Sequence, residues 1–326
     1  MGKTMGSVLI FAERRGDDIH PITHELLGKG RELAYTLNLD VHAALLGCDL
    51  KEEWAQELIS RGADIVFLFD SPTLAHFDPT TYKENLAKLI REMRPEIVLF
   101  GATHLGRSLA PRVAAALGTG LTADCTELAP NGDGSLIQIR PAFTGNILAH
   151  IKTRTRPQMS TVRYRVMKPL PHDRNRRGKV VLMEAIPCLP PSHLIREEMG
   201  ENVNLPDAEV IVSGGKGLKN PGDFAILKEL AELLGGVVGS SRPLVDQGWI
   251  GKEHQVGFSG NTVRPKLYIA CGISGSPQHL AGMRGSETII AINVDPSAPI
   301  FRVADYGIVG DLYEVVPALI AELKKR

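Results

Sequence analysis

Apolar and polar residues alternate along this chain in blocks that fit a strand, then a helix, again and again. SVLIFAE (7–13) is a continuous apolar run of strand length. From Pro21, Ile22, Leu26, Leu33 and Leu37 recur at helical spacing with Leu27, Gly30 and Ala34 beside them. Proline suits the first position of such a helix. VHAALLG (41–47) is a second strand, and KEEWAQELISRG (51–62) an acid-first helix closed by glycine. DIVFLFD (64–70) is a third strand, followed by the helix TTYKENLAKLIREMRP (80–95), which proline halts. EIVLFGA (96–102) and HLGRSLAPRVAAALG (104–118) are the next strand and helix. Consecutive strand–helix units predict a parallel sheet with helices on both faces.

After Gly118 the pattern changes. DCTELAP (124–130), SLIQIRPAF (135–143), ILAHIKTRTRPQMSTVR (147–163) and KVVLMEA (179–185) are strand-like, with little helix between them. They are expected to complete the first domain, some as antiparallel strands. The basic run HIKTRTRPQMSTVRYR (150–165) fits a solvated sheet edge guarded by charge, or else a surface facing another subunit. PCLPPSHLIREEMGENVNLPD (187–207) has proline at both ends and weak periodicity, as a linker does. The expected division is an N-terminal domain over 1–190, a linker over 191–207 and a second domain over 208–326. That second domain opens with AEVIVSGGKGL (208–218), a strand running into a glycine loop. A helix (221–236), the strand and polar loop VVGSSRPLVD (237–246), the strand KLYIAC (266–271) and the turn GISGSPQH (272–279) follow. TIIAINV (288–294) and a final helix from Asp311 complete it; Pro317 would suit the first turns of that helix better than its middle. The fold class is therefore α/β: a parallel-sheet domain with extra strands, then a doubly wound domain.

Composition narrows the function. A chain of 326 residues favours two domains over one. Lys plus Arg equals Asp plus Glu at 37 each, so charge makes no case for a nucleic-acid or anionic-membrane partner, and few aromatics argue against a base-stacking surface. Cys48, Cys125, Cys188 and Cys271 form no CxxC pair, which removes zinc-ribbon and ferredoxin-type ligation and fits core thiols in a reducing compartment. No stretch reaches the about 18 apolar residues of a membrane span, and the first strand starts too early for a leader peptide. A cytoplasmic protein is expected, with no direct membrane insertion.

Candidate chemistry gathers in the second half. A glycine-rich turn from strand into helix leaves backbone N–H groups and a positive dipole end free for an anion such as a pyrophosphate. GISGSPQH offers that turn, and strand ends bearing Asn293 and Asp311 are where ligands sit in open α/β sheets, although each is as readily a turn residue. GGKGL (214–218) matches neither a P-loop nor GxGxxG. It is a tight turn or a phosphate contact with Lys216 as a point charge. Pro243 biases Arg242 toward an extended conformation, as a surface charge or a ligand clamp. His279 is a core or capping residue or a ligand contact. There is no GxSxG elbow and no HExxH. His20 and His24 straddle the proline that starts a helix, which is poor metal geometry. The residues alone describe a two-domain α/β nucleotide binder with its ligand on the second domain.

SGGKGLK, GSSRPLVDQGW, QVGFSG, PKLYIACGISGSPQHLAGM, IIAINVDPSAPIFRVADYGIVGDL and VVPAL, in this order, closely resemble the α subunit of electron-transfer flavoproteins. RSLAPRVAAALGTGLTADCTEL and RPAFTGN with TVR extend the resemblance over almost the whole chain. It implies a heterodimer with an electron-transfer flavoprotein β subunit that the N-terminal domain contacts. It also implies FAD held in extended form by the C-terminal domain. The implied role is to carry single electrons from an acyl-CoA or related dehydrogenase, as in fatty acid β-oxidation, to a quinone reductase or other acceptor. Carried over by motif, Lys216, Ser241 and Arg242 line the FAD site, and Val256, Gly257, Phe258 and Ser259 lie along the isoalloxazine. Ser274, Gly275, Ser276, Pro277, Gln278 and His279 form the cradle, while Asn293, Asp311 and Leu312 hold the adenosine part. His279 would donate a hydrogen bond at the N1 and C2-carbonyl edge, Arg242 would sit over the ring, and Ser259 would bond near N5. Three positions depart from the family's habit: Lys216 stands where arginine is common, Phe258 where glutamine is frequent, and Ser259 where threonine is frequent. Two other roles fit the same resemblance. One is the α subunit of a bifurcating oxidoreductase complex that oxidises NADH and reduces ferredoxin plus a high-potential acceptor. The other is a regulatory homologue without flavin.

Overall fold

A computed structural model describes residues 6–142, 147–186 and 203–325. They fall into two compact units, Met1–Ile195 and Arg196–Arg326. The linker expected over 191–207 lies mostly outside the described residues, which resume with a single 3-10 turn at Leu205–Asp207.

In the first unit β1 (Ser7–Ala12) is followed by a two-residue ladder, β2 (Arg14–Arg15) with β3 (Asp18–Ile19), then α1 (Pro21–Leu37), β4 (Asp40–Gly47) and α2 (Glu52–Ser60). Next come β5 (Ile65–Asp70), α3 (Pro79–Met93), β6 (Ile97–Gly101) and α4 (His104–Leu117). The later strands are β7 (Leu121–Cys125), β8 (Glu127–Pro130), β9 (Leu136–Ala142), β10 (Ile147–Lys152), β11 (Gln158–Val162) and β12 (Lys179–Leu182). Side chains fix the helix starts. Nδ1 of His20 accepts from the Ile22 amide at 3.1 Å, so His20 is a cap and not a metal ligand, and Asp78 and Thr103 cap α3 and α4. His24 pairs with Glu57 at 2.9 Å.

The main sheet has the order β12-β5-β4-β1-β6-β11-β7, and every pair in it is parallel. β8, β9 and β10 form a separate antiparallel sheet. The stretch 124–130, expected as one strand, is thus split between two sheets, with the break at Thr126. The basic run divides as well. β10 is an outer strand with Ile147 and Leu148 exposed, as an edge should be, but β11 lies inside the main sheet with every residue buried. The charges flanking β11 are held in ion pairs: Arg163 grips Asp124 at 2.6 and 3.1 Å, and Arg156 meets Glu96 at 2.9 Å. Pairing neutralises those charges, so a basic sequence did not require an outer strand.

The sheet is covered on both faces. Ile22, Leu26, Leu58 and Ile59 pack one side with Val8 and Ile10, while Leu86, Leu89, Leu109 and Val113 pack the other with Leu9 and Phe11. The strand order reverses between β1 and β6. Glu13, 3% exposed, fills that point. Its Oε2 accepts from Oγ1 of Thr103 at 2.6 Å, Thr103 in turn caps the Gly106 amide at 2.9 Å, and the Glu13 amide donates to Thr23 at 2.9 Å. Burial pushes the Glu13 carboxyl up to about 7, against the Thr103 hydrogen bond.

The second unit contains β13 (Val210–Gly214), α5 (Phe224–Leu233), β14 (Val237–Ser240), α6 (Arg242–Asp246), β15 (Leu267–Cys271), α7 (Pro277–Met283), β16 (Thr288–Asn293), β17 (Tyr306–Val309) and α8 (Leu312–Leu323). Its parallel sheet has the order β14-β13-β15-β16-β17. Leu227, Leu230, Val316 and Ile320 pack against Val212 and Ile269 on one face; Met283, Ala298 and Ile300 pack near Tyr268 and Ala270 on the other. Two local expectations fail. Arg242 is the first residue of a short helix rather than extended chain, because Ser241 takes the extended cap position and Pro243 sits within the first turn. Pro317 lies in the interior of α8 and is exposed there, so its ring faces away from the core.

Candidate functional site at the switch point of the second sheet

In the second sheet the strand order reverses between β13 and β15. A ligand in a doubly wound sheet sits outside the carboxyl ends of the strands at that point. Two glycine loops meet there. The Gly215 amide donates to the Cys271 carbonyl and the Gly217 amide to the Gly272 carbonyl, both at 3.0 Å. A Cβ on Gly217 would stand 2.7 Å from the Gly272 Cα, so only glycines let the loops approach this closely. Gly275 has φ +89, and a Cβ there would stand 2.5 Å from the Ile300 amide nitrogen. The Ile300 amide in turn donates to the Ser274 carbonyl at 3.0 Å, which pins the loop. Ser274, Ser276, Pro277, Gln278 and Lys216 are left exposed around this crevice.

The remaining expected residues lie along the same carboxyl edge of the sheet. Ser241 follows β14 and is tied to the glycine loop by its amide, which donates to the Gly214 carbonyl at 2.9 Å. The Arg242 side chain is exposed and bonds Asp246 at 3.2 Å. Val256, Gly257, Phe258 and Ser259 pack against α7: the Phe258 amide donates to the Gln278 carbonyl at 2.8 Å, and Gly282 leaves no room for a side chain against Gly257. Val256 is buried, whereas Phe258 is 59% exposed, an unusual state for a phenyl ring. Ser259 accepts from Nε2 of Gln255 at 3.1 Å.

Asn293 is buried at the end of β16. Its amide nitrogen donates to the Ile273 carbonyl and its amide oxygen accepts from the Asp295 amide, both at 3.0 Å. Asp311 caps α8 through the Tyr313 amide at 3.0 Å, and Leu312 is buried beside it. Asn293 and Asp311 thus each make hydrogen bonds that hold this edge in shape.

His279 stands in the first turn of α7 and is 5% exposed. Its Nε2 bonds the hydroxyl of Tyr268 at 3.0 Å, while Nδ1 is buried and makes no hydrogen bond of ordinary geometry among the described residues, although the Val256 carbonyl lies near enough to raise the ring's pKa. Burial holds the imidazole pKa down at about 4, with the Val256 carbonyl pulling weakly the other way. The ring is therefore neutral at physiological pH and carries one proton. Sequence reasoning placed His279 but missed Tyr268, which reads as one more apolar residue of a buried strand; a hydroxyl in such a strand was the only signal. Cys271, beside the glycine loops, is fully buried and pushed up to about 12, an inert thiol. Among the described residues no group of His, Cys, Asp and Glu is placed to hold a metal ion, and no helix is long and apolar enough to cross a membrane.

Two glycine loops at a switch point, exposed serines and a lysine around them, and a buried neutral histidine define an α/β protein with a candidate ligand site on its second sheet. The particular family follows from comparison with known sequences. Residues 8–187 match the electron transfer flavoprotein domain and residues 204–284 the electron transfer flavoprotein FAD-binding domain. The electron transfer flavoprotein subunit alpha of Thermoanaerobacterium thermosaccharolyticum is 51% identical over 325 residues, 98% of each chain. That of Megasphaera elsdenii is 47% identical over 328 residues, 98% of this chain and 96% of the relative. A protein named lactate dehydrogenase (NAD(+),ferredoxin) subunit LctC, from Acetobacterium woodii, is 45% identical over 323 residues, 97% of this chain and 77% of the relative. The chain belongs to the electron-transfer flavoprotein α-subunit family.

The residues present fit the flavin that this family's domain implies. A buried ring nitrogen with no hydrogen bond of ordinary geometry is free to take one from a ligand, and Ser274, Ser276, Gln278 and Lys216 stand exposed beside the glycine loops.

Proposed function

We propose that the chain binds FAD as the α subunit of a heterodimeric electron-transfer flavoprotein in the cytoplasm. It would take single electrons from an acyl-CoA or related dehydrogenase and pass them to a quinone reductase or another acceptor. When bound, FAD supplies a ring that accepts and releases one electron at a time. The observation that carries this reading is the buried Nδ1 of His279, which makes no hydrogen bond of ordinary geometry among the described residues, beside two glycine loops at a switch point. In our reading residues 1–190 contact the β subunit, 191–207 link, and 208–326 hold the cofactor.

Each part of the site then has a physical task. The glycine loops bring backbone close to the pyrophosphate, with Ser274, Ser276 and Lys216 at its rim; lysine gives a single-point contact where arginine would give two. Ser241 and Arg242 stand at the neighbouring strand end. Val256 and Gly257 form a wall that keeps water from His279, and the exposed phenyl of Phe258 offers an apolar face where an amide is frequent in the family. His279 stays neutral and offers an N–H where negative charge develops on reduction; a hydrogen bond to a charged group contributes about 1.5–3 kcal/mol.

A second reading is favoured by the Acetobacterium woodii relative, whose name couples lactate dehydrogenase with NAD(+) and ferredoxin. In it the same subunit serves a bifurcating complex. Co-purifying the chain with its β-type partner and quantifying the released nucleotides separates the two. One FAD with one AMP per heterodimer supports the simple carrier, and two FAD the bifurcating complex. A colourless complex that takes up no added FAD would overturn both and leave a flavin-free regulatory homologue.

A further inference from the structure

Among the described residues Tyr268 is the largest fully buried side chain, the second residue of β15 with its hydroxyl inside the unit. A buried hydroxyl without a partner is costly, and this one has His279 Nε2 at 3.0 Å. Burial raises the phenol's pKa above its ordinary value, so it keeps its proton throughout the physiological range. Ser213, on the adjacent strand β13, lies near enough to lower that pKa, yet its Oγ makes no hydrogen bond of ordinary geometry among the described residues.

Two proton arrangements are conceivable between the phenol and the neutral imidazole. If Nε2–H donated to the phenol oxygen, the phenol's own proton would have to go to Ser213, where the geometry fails. If the phenol donates to Nε2, its proton is satisfied and the single imidazole proton must sit on Nδ1. The second arrangement satisfies the phenol's proton and makes Nδ1 a donor, the polarity that suits both the nearby Val256 carbonyl and an electron-rich ligand.

We propose that Tyr268 is a positioning residue that holds His279 in its neutral Nδ1–H tautomer, so that the imidazole presents a fixed donor to the bound cofactor. The inference rests on the flavin-site reading above for its purpose, though not for the tautomer itself. Second-layer hydrogen bonds of this kind set which nitrogen of a histidine carries the proton.

The test uses the full chain with its partner subunit, labelled with 15N-histidine, before and after the cofactor is stripped. The His279 resonances are assigned by their loss in His279→Asn. The wild type is expected to show a protonated Nδ1 and an unprotonated, hydrogen-bonded Nε2. Tyr268→Phe removes only the hydroxyl and is expected to move the tautomer ratio roughly tenfold toward Nε2–H. A wild-type Nε2–H, or a ratio unchanged in Tyr268→Phe, overturns the proposal. Should Tyr268→Phe fail to fold, fluorotyrosine at position 268 keeps the ring and strengthens the donor; the Nε2 resonance must then shift, and a fixed resonance is equally fatal. A redox arm completes the test. Tyr268→Phe should lower the one-electron flavin potential in the wild-type background and leave it unmoved in His279→Asn, because the tyrosine acts through the histidine. A shift of equal size in both backgrounds refutes action through His279. Absence of flavin from the wild-type complex would refute the functional reading instead, and leave the tautomer measurement standing.

Discussion

In the first unit, β1 and β6 part at Glu13 and Thr103, and the gap between their ends is filled by the unit's own side chains, hydrogen-bonded to each other and to the first turn of α4. In the second, β13 and β15 part at Gly215, Gly217, Gly272 and Gly275, whose lack of side chains lets the loops pack backbone against backbone. Both sheets are parallel and both reverse their strand order at this point. The difference is in what the strand ends carry. One switch point is plugged by a buried acid; the other is built from glycine loops with exposed serines and a lysine beside a buried histidine. Topology offers a crevice twice, and local sequence decides which one can take a ligand.

Exchanging the character of the glycines should break this contrast most visibly. Gly275→Ala puts a Cβ at a left-handed position against the Ile300 backbone. It should cost about 1–3 kcal/mol of local stability and strip the complex of flavin, read from the absorbance ratio of the purified protein. Gly106→Ala in the first unit drives a Cβ into the Gly101 carbonyl and should lower the melting temperature by a similar free energy while flavin per folded complex stays constant. Flavin loss in Gly106→Ala with retention in Gly275→Ala would reverse the assignment of the two crevices.

The plug itself has a pH signature. The folded-state pKa of Glu13, about 7, lies above its ordinary value of 4.5, so folding favours the protonated acid. Its stabilising contribution is complete below pH 4.5 and is lost as pH rises through 7. Glu13→Gln keeps an acceptor for Thr103 and removes the ionisation. It should stabilise the protein at pH 8 by up to about 3 kcal/mol and flatten the melting profile between pH 5 and 8. An unaltered profile would show that Glu13 does not titrate there.

The strand–helix alternation of the first hundred residues was legible because continuous apolar runs and helical stripes each have one physical reading. The strands after Gly118 were legible as strands but not as neighbours, because pairing is non-local: β7 and β11 pair although three other strands lie between them in sequence, and a basic run at β11 is silent about Asp124 and Glu96 waiting to pair with it. Arg242 was misplaced for a related reason. The local bias of a residue before proline was overridden once Ser241 took the cap. At the site, glycine spacing and the histidine could be read from the motif. The committed side chains of Asn293 and Asp311, and the tyrosine behind His279, could not, since nothing in a strand's sequence says which hydroxyl meets which ring.

The finest distinction lies within the second crevice, between a buried donor and an exposed charge. His279 is 5% exposed, so replacing it with asparagine or alanine removes an interaction that water screens little; about 1.5–3 kcal/mol corresponds to roughly 60–130 mV at about 59 mV per 1.4 kcal/mol for one electron. The Arg242 side chain is 64% exposed and already bonded to Asp246, in the class of ion pairs worth about 0–1 kcal/mol. Arg242→Ala should therefore lower the flavin potential by no more than about 40 mV. That shift should shrink as salt rises from about 0.01 to 0.15 M, because exposed charges are screened over a Debye length that contracts from about 30 to 8 Å. A spectroelectrochemical titration at the two salt concentrations measures it directly. If Arg242→Ala matches a histidine substitution in size and ignores salt, then Arg242 must leave Asp246 and lie over the ring in the loaded protein, and the charge, not the buried imidazole, would set the potential.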